Sequence, residues 1–150
     1  MPARQAVAAA LRAALDAQRA DLGEPPWDGP ADLDSLGRAC ALTVLRVLGT
    51  SSQPRPEAFR AAVRYLLDVL AATVPGRAVE VRVPPYAAVQ CVAGPRHSRG
   101  TPPNVVEISP ATWLRLAAGQ LTWAGAVTDG LVQASGVRAD LSPYLPIIKT

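Results

Sequence analysis

The hydrophobic period of the sequence changes from helical to extended between residues 74 and 79, and this change most constrains the fold. Before it, apolar residues recur at helical spacing in segments that are separated by turns rich in Gly and Pro. After it, the valines of residues 79–83 alternate with Glu80 and Arg82, which is the pattern of a half-buried strand. The chain thus combines a helical first half with a second half that contains strands.

Three amphipathic helices are predicted in the first half of the chain. They cover residues 1–22, 32–48 and 56–74, each with an apolar stripe of period 3.6. Either Asp32 or Asp34 can cap the second helix, since a carboxylate can accept the unpaired N–H groups of a first turn. The third helix is expected to begin at a proline, whose fixed φ suits the first helical position.

Two turn-rich segments separate these helices. Residues 23–30, with the sequence GEPPWDGP, cannot continue a helix, and Trp27 within them is expected to pack onto a neighbouring surface. Residues 50–56, TSSQPRP, have the composition of a domain boundary. We therefore expect an N-terminal helical extension, residues 1–55, followed by a domain of residues 56–150.

Further short strands are predicted at residues 86–92, 105–108 and 131–134. The first of these runs has few charges, which predicts burial on both of its faces. Pro84 and Pro85 precede it and permit either a wide turn or one long kinked strand, and the sequence leaves both open.

Two short helices are expected after the strand at residues 105–108. Ser109 and Pro110 have the pattern of a helix start, and Thr122 can cap a second helix. The expected buried residues of the two helices are Trp113, Leu116, Ala117, Trp123, Ala126 and Val127. The two tryptophans fit core anchors, and lining an apolar cavity would satisfy the same pattern.

Composition excludes several classes of protein. With 49% apolar and 18% charged residues, the chain is too apolar for an intrinsically disordered protein. Its net charge of +3 is spread along the chain and its few aromatic residues form no stacking platform, so nucleic acid is not an expected partner. No segment approaches the ~20 apolar residues that span a bilayer, and residues 1–22 lack a signal-peptide core. We expect a cytoplasmic protein without an integral membrane segment.

The sequence offers little material for catalysis. His97 is the only histidine, and neither Cys91 nor Ser98 beside it lies in a nucleophile-elbow motif. No Gly-rich phosphate loop is present, and Cys40 and Cys91 lie far apart without metal-ligand spacing, which predicts two buried, reduced thiols. We therefore predict no enzymatic activity, no cofactor and no metal site.

The loop at residues 94–104 contains a cationic cluster of Arg96, His97 and Arg99. Such a cluster can hold the carboxylate or phosphate head of a ligand. The same side chains can instead stabilise the loop by bonding its carbonyl groups and Glu107 or Asp140. Both interpretations remain open at this point.

The second half of the chain resembles sterol-carrier-protein domains. Residues 104–145, NVVEISPATWLRLAAGQLTWAGAVTDGLVQASGVRADLSPYL, have the order strand, helix, helix, strand of the C-terminal half of such domains, with glycines in the matching places. Residues 79–107, VEVRVPPYAAVQCVAGPRHSRGTPPNVVE, are similar to the bacterial, actinobacterial-type branch of the family. The resemblance extends over residues 57–148, and residues 1–55 have no counterpart in it.

This resemblance implies an α/β (α+β) fold in which helices cover a small, mostly antiparallel sheet and leave an apolar cavity. The implied function is non-enzymatic binding or carriage of a hydrophobic or amphipathic small molecule, such as a lipid, fatty acyl or sterol-like compound. The candidate ligand-binding residues are Trp113, Leu116, Trp123, Ala126, Val127, Arg96, His97 and Arg99. The alternative is an interaction or regulatory protein that fills its own core and forms a homo-oligomer through the helical extension.

Overall fold

The computed structural model describes residues 2–94 and 104–149. Over those residues the chain forms five α-helices and one four-stranded mixed sheet, which confirms the expected α+β class. Two compact units are present, Met1–Tyr65 and Leu66–Thr150, and their boundary falls within the third helix. The division at residues 55 and 56 stays a prediction.

The first unit is helical. It contains α1 (Pro2–Asp21), α2 (Leu33–Leu48) and the beginning of α3 (Pro56–Thr73), and α1 packs against α2. Asp32 is the cap of α2, because its carboxylate accepts the N–H of Ser35 at 2.9 Å. Among the apolar side chains of this unit, those buried from solvent include Leu15, Leu36, Cys40, Val44, Ala62 and Val63.

A close contact joins α2 to α3. The hydroxyl of Tyr65 donates to the Asp34 carboxylate at 2.9 Å, so the second capping candidate has a different role. Burial and this hydrogen bond together raise the pKa of Tyr65 to about 12. A Cβ at Gly37 would lie 2.2 Å from the Tyr65 ring. Only glycine therefore lets the two helices approach this closely.

The sheet lies in the second unit and has the strand order β2-β1-β3-β4. Its strands are β1 (Val79–Val83), β2 (Ala87–Cys91), β3 (Val105–Ile108) and β4 (Val132–Ser135). The pairs β1–β2 and β3–β4 are antiparallel and β1–β3 is parallel, so the sheet is mostly antiparallel as the resemblance implied.

The structure decides one question about the sheet that the sequence left open, and it overturns one prediction. The chain makes a turn at Pro84 and Pro85, closed by a 3.0 Å hydrogen bond from the Tyr86 N–H to the Val83 carbonyl, so β1 and β2 are separate strands. The burial of β2 alternates between half-buried and exposed over most of its length. The prediction that this run is buried on both faces is wrong, because β2 lies at an edge of the sheet and not within it.

Two short helices complete the second unit, α4 (Pro110–Ala117) and α5 (Trp123–Thr128). Ser109 and Thr122 cap them as predicted, each accepting a backbone N–H three residues later. The buried apolar side chains of this unit include residues of α3, the strands, α4, α5 and the C-terminal segment (residues 144–148), among them Leu66, Leu70, Val81, Val106, Ile108, Trp113, Leu116, Ala126 and Ile148. No helix in the described ranges combines the length and the hydropathy that a bilayer crossing requires.

Candidate functional site

The predicted apolar ligand residues occupy three different environments. Trp113, Leu116 and Ala126 are almost completely inaccessible to solvent, and Trp123 is half-buried. Val127, which was expected on the buried side of α5, is 44% exposed. It follows Ala126 directly and so lies about 100° further around the helix, away from the buried face.

The cationic cluster of Arg96, His97 and Arg99 lies outside the described residues. The binding of an anionic head group by these side chains and their stabilising role in the loop both stay predictions. Of the proposed carboxylate partners, Asp140 accepts the backbone N–H of Ser142 at 2.9 Å.

A recess of about 100 Å³ lies in the second unit, between the end of α3 and the C-terminal segment, residues 144–148. Its lining is mostly apolar and consists of Val69, Leu70, Thr73, Val74, Tyr144, Pro146 and Ile147. None of the five predicted ligand residues that the structure describes, Trp113, Leu116, Trp123, Ala126 and Val127, belongs to this lining. The recess is smaller than the roughly 300 Å³ at which small-molecule pockets begin.

The wall formed by the C-terminal segment is held by its backbone. The N–H groups of Ile147 and Ile148 both donate to the carbonyl of Ala117, at 2.7 and 3.0 Å. Ala117 is the last residue of α4, so these bonds use a carbonyl group that the helix leaves without an internal partner. The segment carries no periodic pattern in the sequence, which is why its residues were absent from the predicted site.

Asn104 connects three segments at the end of the sheet where β3 begins. Its side-chain amide donates to the Ala78 carbonyl at 2.8 Å, and its side-chain oxygen accepts the N–H of Arg138 at 2.9 Å. Asn104 is buried, so its polar side chain needs such partners, and the two bonds hold the segments before β1 and after β4 to the start of β3. A single asparagine in a Pro-rich loop gives no signal of this role in the sequence.

The two cysteines are buried and free, as predicted. Burial raises the pKa of Cys91 to about 11 and that of Cys40 to about 12. Both thiols therefore stay protonated near neutral pH and are poor nucleophiles. Within the described ranges, no group of three or more His, Cys, Asp or Glu side chains could hold a metal ion.

A larger cleft, of about 430 Å³, lies in the first unit. Its walls combine arginines, a tryptophan and small or apolar residues, namely Arg19, Trp27, Pro30, Ser35, Arg38, Ala39, Leu42, Thr43 and Arg46. These lining residues include no Asp or Glu. All of them precede residue 55.

A comparison with known protein families finds a match over residues 55–147 of the chain. Residues 55–147 match the model of the family described as "Bacterial SCP ortholog", where SCP stands for sterol carrier protein. Among proteins with curated descriptions, none matches the chain significantly. The match spans more than half of the sequence and includes all four strands and both short helices. The chain therefore belongs to the bacterial sterol-carrier-protein-like family.

Proposed function

We propose that this protein binds or carries a hydrophobic or amphipathic small molecule, of the lipid, fatty acyl or sterol-like class, without catalysing a reaction. The observation that carries the proposal is the family match over residues 55–147, since the family is in general one of non-enzymatic carriers. The protonated state of both buried thiols is consistent with a binding role.

The recess between α3 and the C-terminal segment is the entry point that we favour for the ligand. Its wall contains Leu70 and Ile147, which offer an apolar surface. A lipid needs more than 100 Å³, so it would have to displace the C-terminal segment and its two hydrogen bonds to Ala117. Such bonds contribute about 0.5–1.5 kcal/mol each, a cost that the burial of a few ligand methylene groups offsets.

Two measurements on the full chain test this proposal. Native mass spectrometry of the purified protein should show a bound small molecule, and 11-(dansylamino)undecanoic acid should bind saturably and be displaced by oleate. Thr73 is exposed and lines the recess, so Thr73→Trp should fill it and weaken binding of the probe severalfold. Ala72→Trp is the matched control, because Ala72 is also exposed but is not part of the lining. Equal affinities for the two variants would place the ligand elsewhere, and no binding by the wild type would reject carriage.

A second candidate function is favoured by the complete burial of Trp113, Leu116 and Ala126. Side chains that fill the interior leave a ligand no space there, which fits an interaction or regulatory protein with a self-filled core. In this case residues 1–55 would mediate self-association. The same native mass spectra distinguish the candidates, since a homo-oligomer without a bound small molecule supports the second.

A further inference from the structure

We propose that the cleft of the first unit is a separate binding site for a small anionic amphiphile, a carboxylate or phosphate attached to a flat or short apolar body. The site lies outside the family match, because its lining ends at Arg46 and the match begins at residue 55. It is therefore independent of the carrier function proposed for the second unit.

The charge of the cleft favours an anion. Three arginines line it, Arg19, Arg38 and Arg46, and the lining contains no acidic residue. Glu24 lies beside it and forms a bidentate pair with Arg46, and its carboxylate is 3.3 Å from the guanidinium of Arg19. Asp16 and Asp32 also lie near the cleft, where they accept the N–H groups of Trp27 and Ser35, but neither belongs to the lining, so every charged side chain of the lining itself is a guanidinium group.

Arg46 retains donors for a ligand. A guanidinium group carries five N–H donors, and the pair with Glu24 accounts for two of them. Its side chain is half-exposed, so a ligand can reach it without unfolding the helix. Guanidinium groups bind carboxylate and phosphate oxygens through parallel hydrogen bonds, which matches both proposed head groups.

The apolar part of the site is formed around Trp27, which is held in place by its own hydrogen bonds. Its backbone N–H donates to Asp16 at 2.7 Å, its carbonyl accepts from Arg12 at 2.6 Å, and its indole N–H donates to the Pro30 carbonyl at 3.0 Å. The guanidinium carbon of Arg19 lies 5.7 Å from the ring centroid, within the range of a cation–π contact. The ring is thus an ordered wall before any ligand binds.

The turn that contains Trp27 has a glycine where the indole ring packs against the backbone. A Cβ at Gly29 would lie 2.3 Å from the indole ring, so the ring folds back over the backbone only because residue 29 is glycine. Leu42 and Ala39 of α2 add apolar surface to the lining. An apolar wall with a few convergent polar groups is the usual composition of a small-molecule site.

The size of the cleft argues for a small molecule as its occupant. Its volume of about 430 Å³ falls in the roughly 300–1,000 Å³ range of small-molecule pockets. The arginines and the tryptophan line the same cavity, so one compact ligand can contact both. An aromatic or short aliphatic anion satisfies these conditions.

The test compares two charge-removing variants of the full chain. Arg46→Gln removes a guanidinium group of the lining. Arg55→Gln removes a guanidinium group of similar exposure that also forms a bidentate pair, with Asp21, but lies outside the lining. Isothermal titration uses 1-naphthaleneacetate and 1-naphthyl phosphate as anionic probes and 1-naphthaleneacetamide as the neutral probe. We expect Arg46→Gln to weaken the anionic probes about three- to tenfold, the effect of one partly solvated charge-assisted contact. Arg55→Gln should leave their affinity unchanged.

Further measurements distinguish the possible outcomes. Stronger binding of the acetate or of the phosphate identifies the head group, and both should bind more tightly than the amide. Leu42→Glu, which places a carboxylate in the lining, should weaken the anionic probes more than the neutral probe. Equal losses in Arg46→Gln and Arg55→Gln, or no saturable binding of either anion to the wild type, would overturn the proposal. Thr73→Trp should leave naphthaleneacetate binding unchanged, so failure at this cleft is distinguishable from failure of the carrier function.

Discussion

The two compact units of this chain contain cavities of different size and composition. In the second unit, Trp113 and the inward-facing side chains of the strands are buried from solvent, and the recess between α3 and the C-terminal segment has a volume of about 100 Å³. In the first unit, Arg–carboxylate pairs such as Arg46–Glu24 stand beside a cleft of about 430 Å³. Apolar side chains gain free energy by closing every gap, whereas guanidinium groups must keep water or a partner within reach. Of the two cavities described, the one lined by arginines is therefore the larger.

The largest expected difference between the units concerns their tryptophans. Trp113→Ala should lower the free energy of unfolding by about 3–5 kcal/mol, because it empties a fully buried site. Trp27→Ala should cost only about 1 kcal/mol, since the Trp27 ring is part of the wall of an open cleft. Urea unfolding followed by circular dichroism measures both. Equal losses would contradict the distinction between a tryptophan in a filled core and one in the wall of an open cleft.

A smaller effect is expected at the close contact between α2 and α3. Gly37→Ala places a methyl group against the Tyr65 ring, and overpacking of this kind costs about 1–3 kcal/mol of stability. Gly49→Ala is the control on the same helix, because its nearest neighbour would be a carbonyl at 3.4 Å. Thermal melts should show a lower Tm for Gly37→Ala and little change for Gly49→Ala. If both variants melt like the wild type, the contact is looser than its geometry indicates.

The smallest expected changes in stability concern two residues that cap helices, the charged Asp32 in the first unit and the neutral Ser109 in the second. The backbone hydrogen bond from Ser35 is the main cause that lowers the pKa of Asp32 below its usual value of 3.8, so its stabilisation is present above that pH. It is lost as the pH falls through the lower pKa of the folded state. Asp32→Ala should therefore destabilise the protein near pH 7 by less than Gly37→Ala does, and the difference from the wild type should shrink towards pH 2.

Ser109→Ala provides the matched comparison, because the Ser109 hydroxyl caps α4 without titrating in this range. It should cost about 1 kcal/mol at every pH at which the protein is folded. Unfolding curves recorded from pH 7 downwards check both variants. A pH-independent effect of Asp32→Ala would contradict the assigned role of its carboxylate.

Local sequence signals were sufficient to predict most of the secondary structure. Pro56 begins α3, Ser109 and Thr122 cap the short helices, and the alternating valines form β1 over residues 79–83 as predicted. Each of these signals acts over a few neighbouring residues, through a capping hydrogen bond, a fixed φ or the side-chain period. The family resemblance, which depends on longer blocks of sequence, was also confirmed.

The tertiary structure decided everything that depends on which segments lie next to each other. The edge position of β2 left one of its faces exposed, although its sequence has few charges. Asn104 became a buried anchor because Ala78 and Arg138, distant in sequence, lie at its side chain. The cleft of the first unit has the same origin, because its charge and volume arise where separate segments converge. A sequence determines its local hydrogen bonds and periodicity directly, whereas the volume and charge of a cavity are set by distances between residues that only the folded chain brings together.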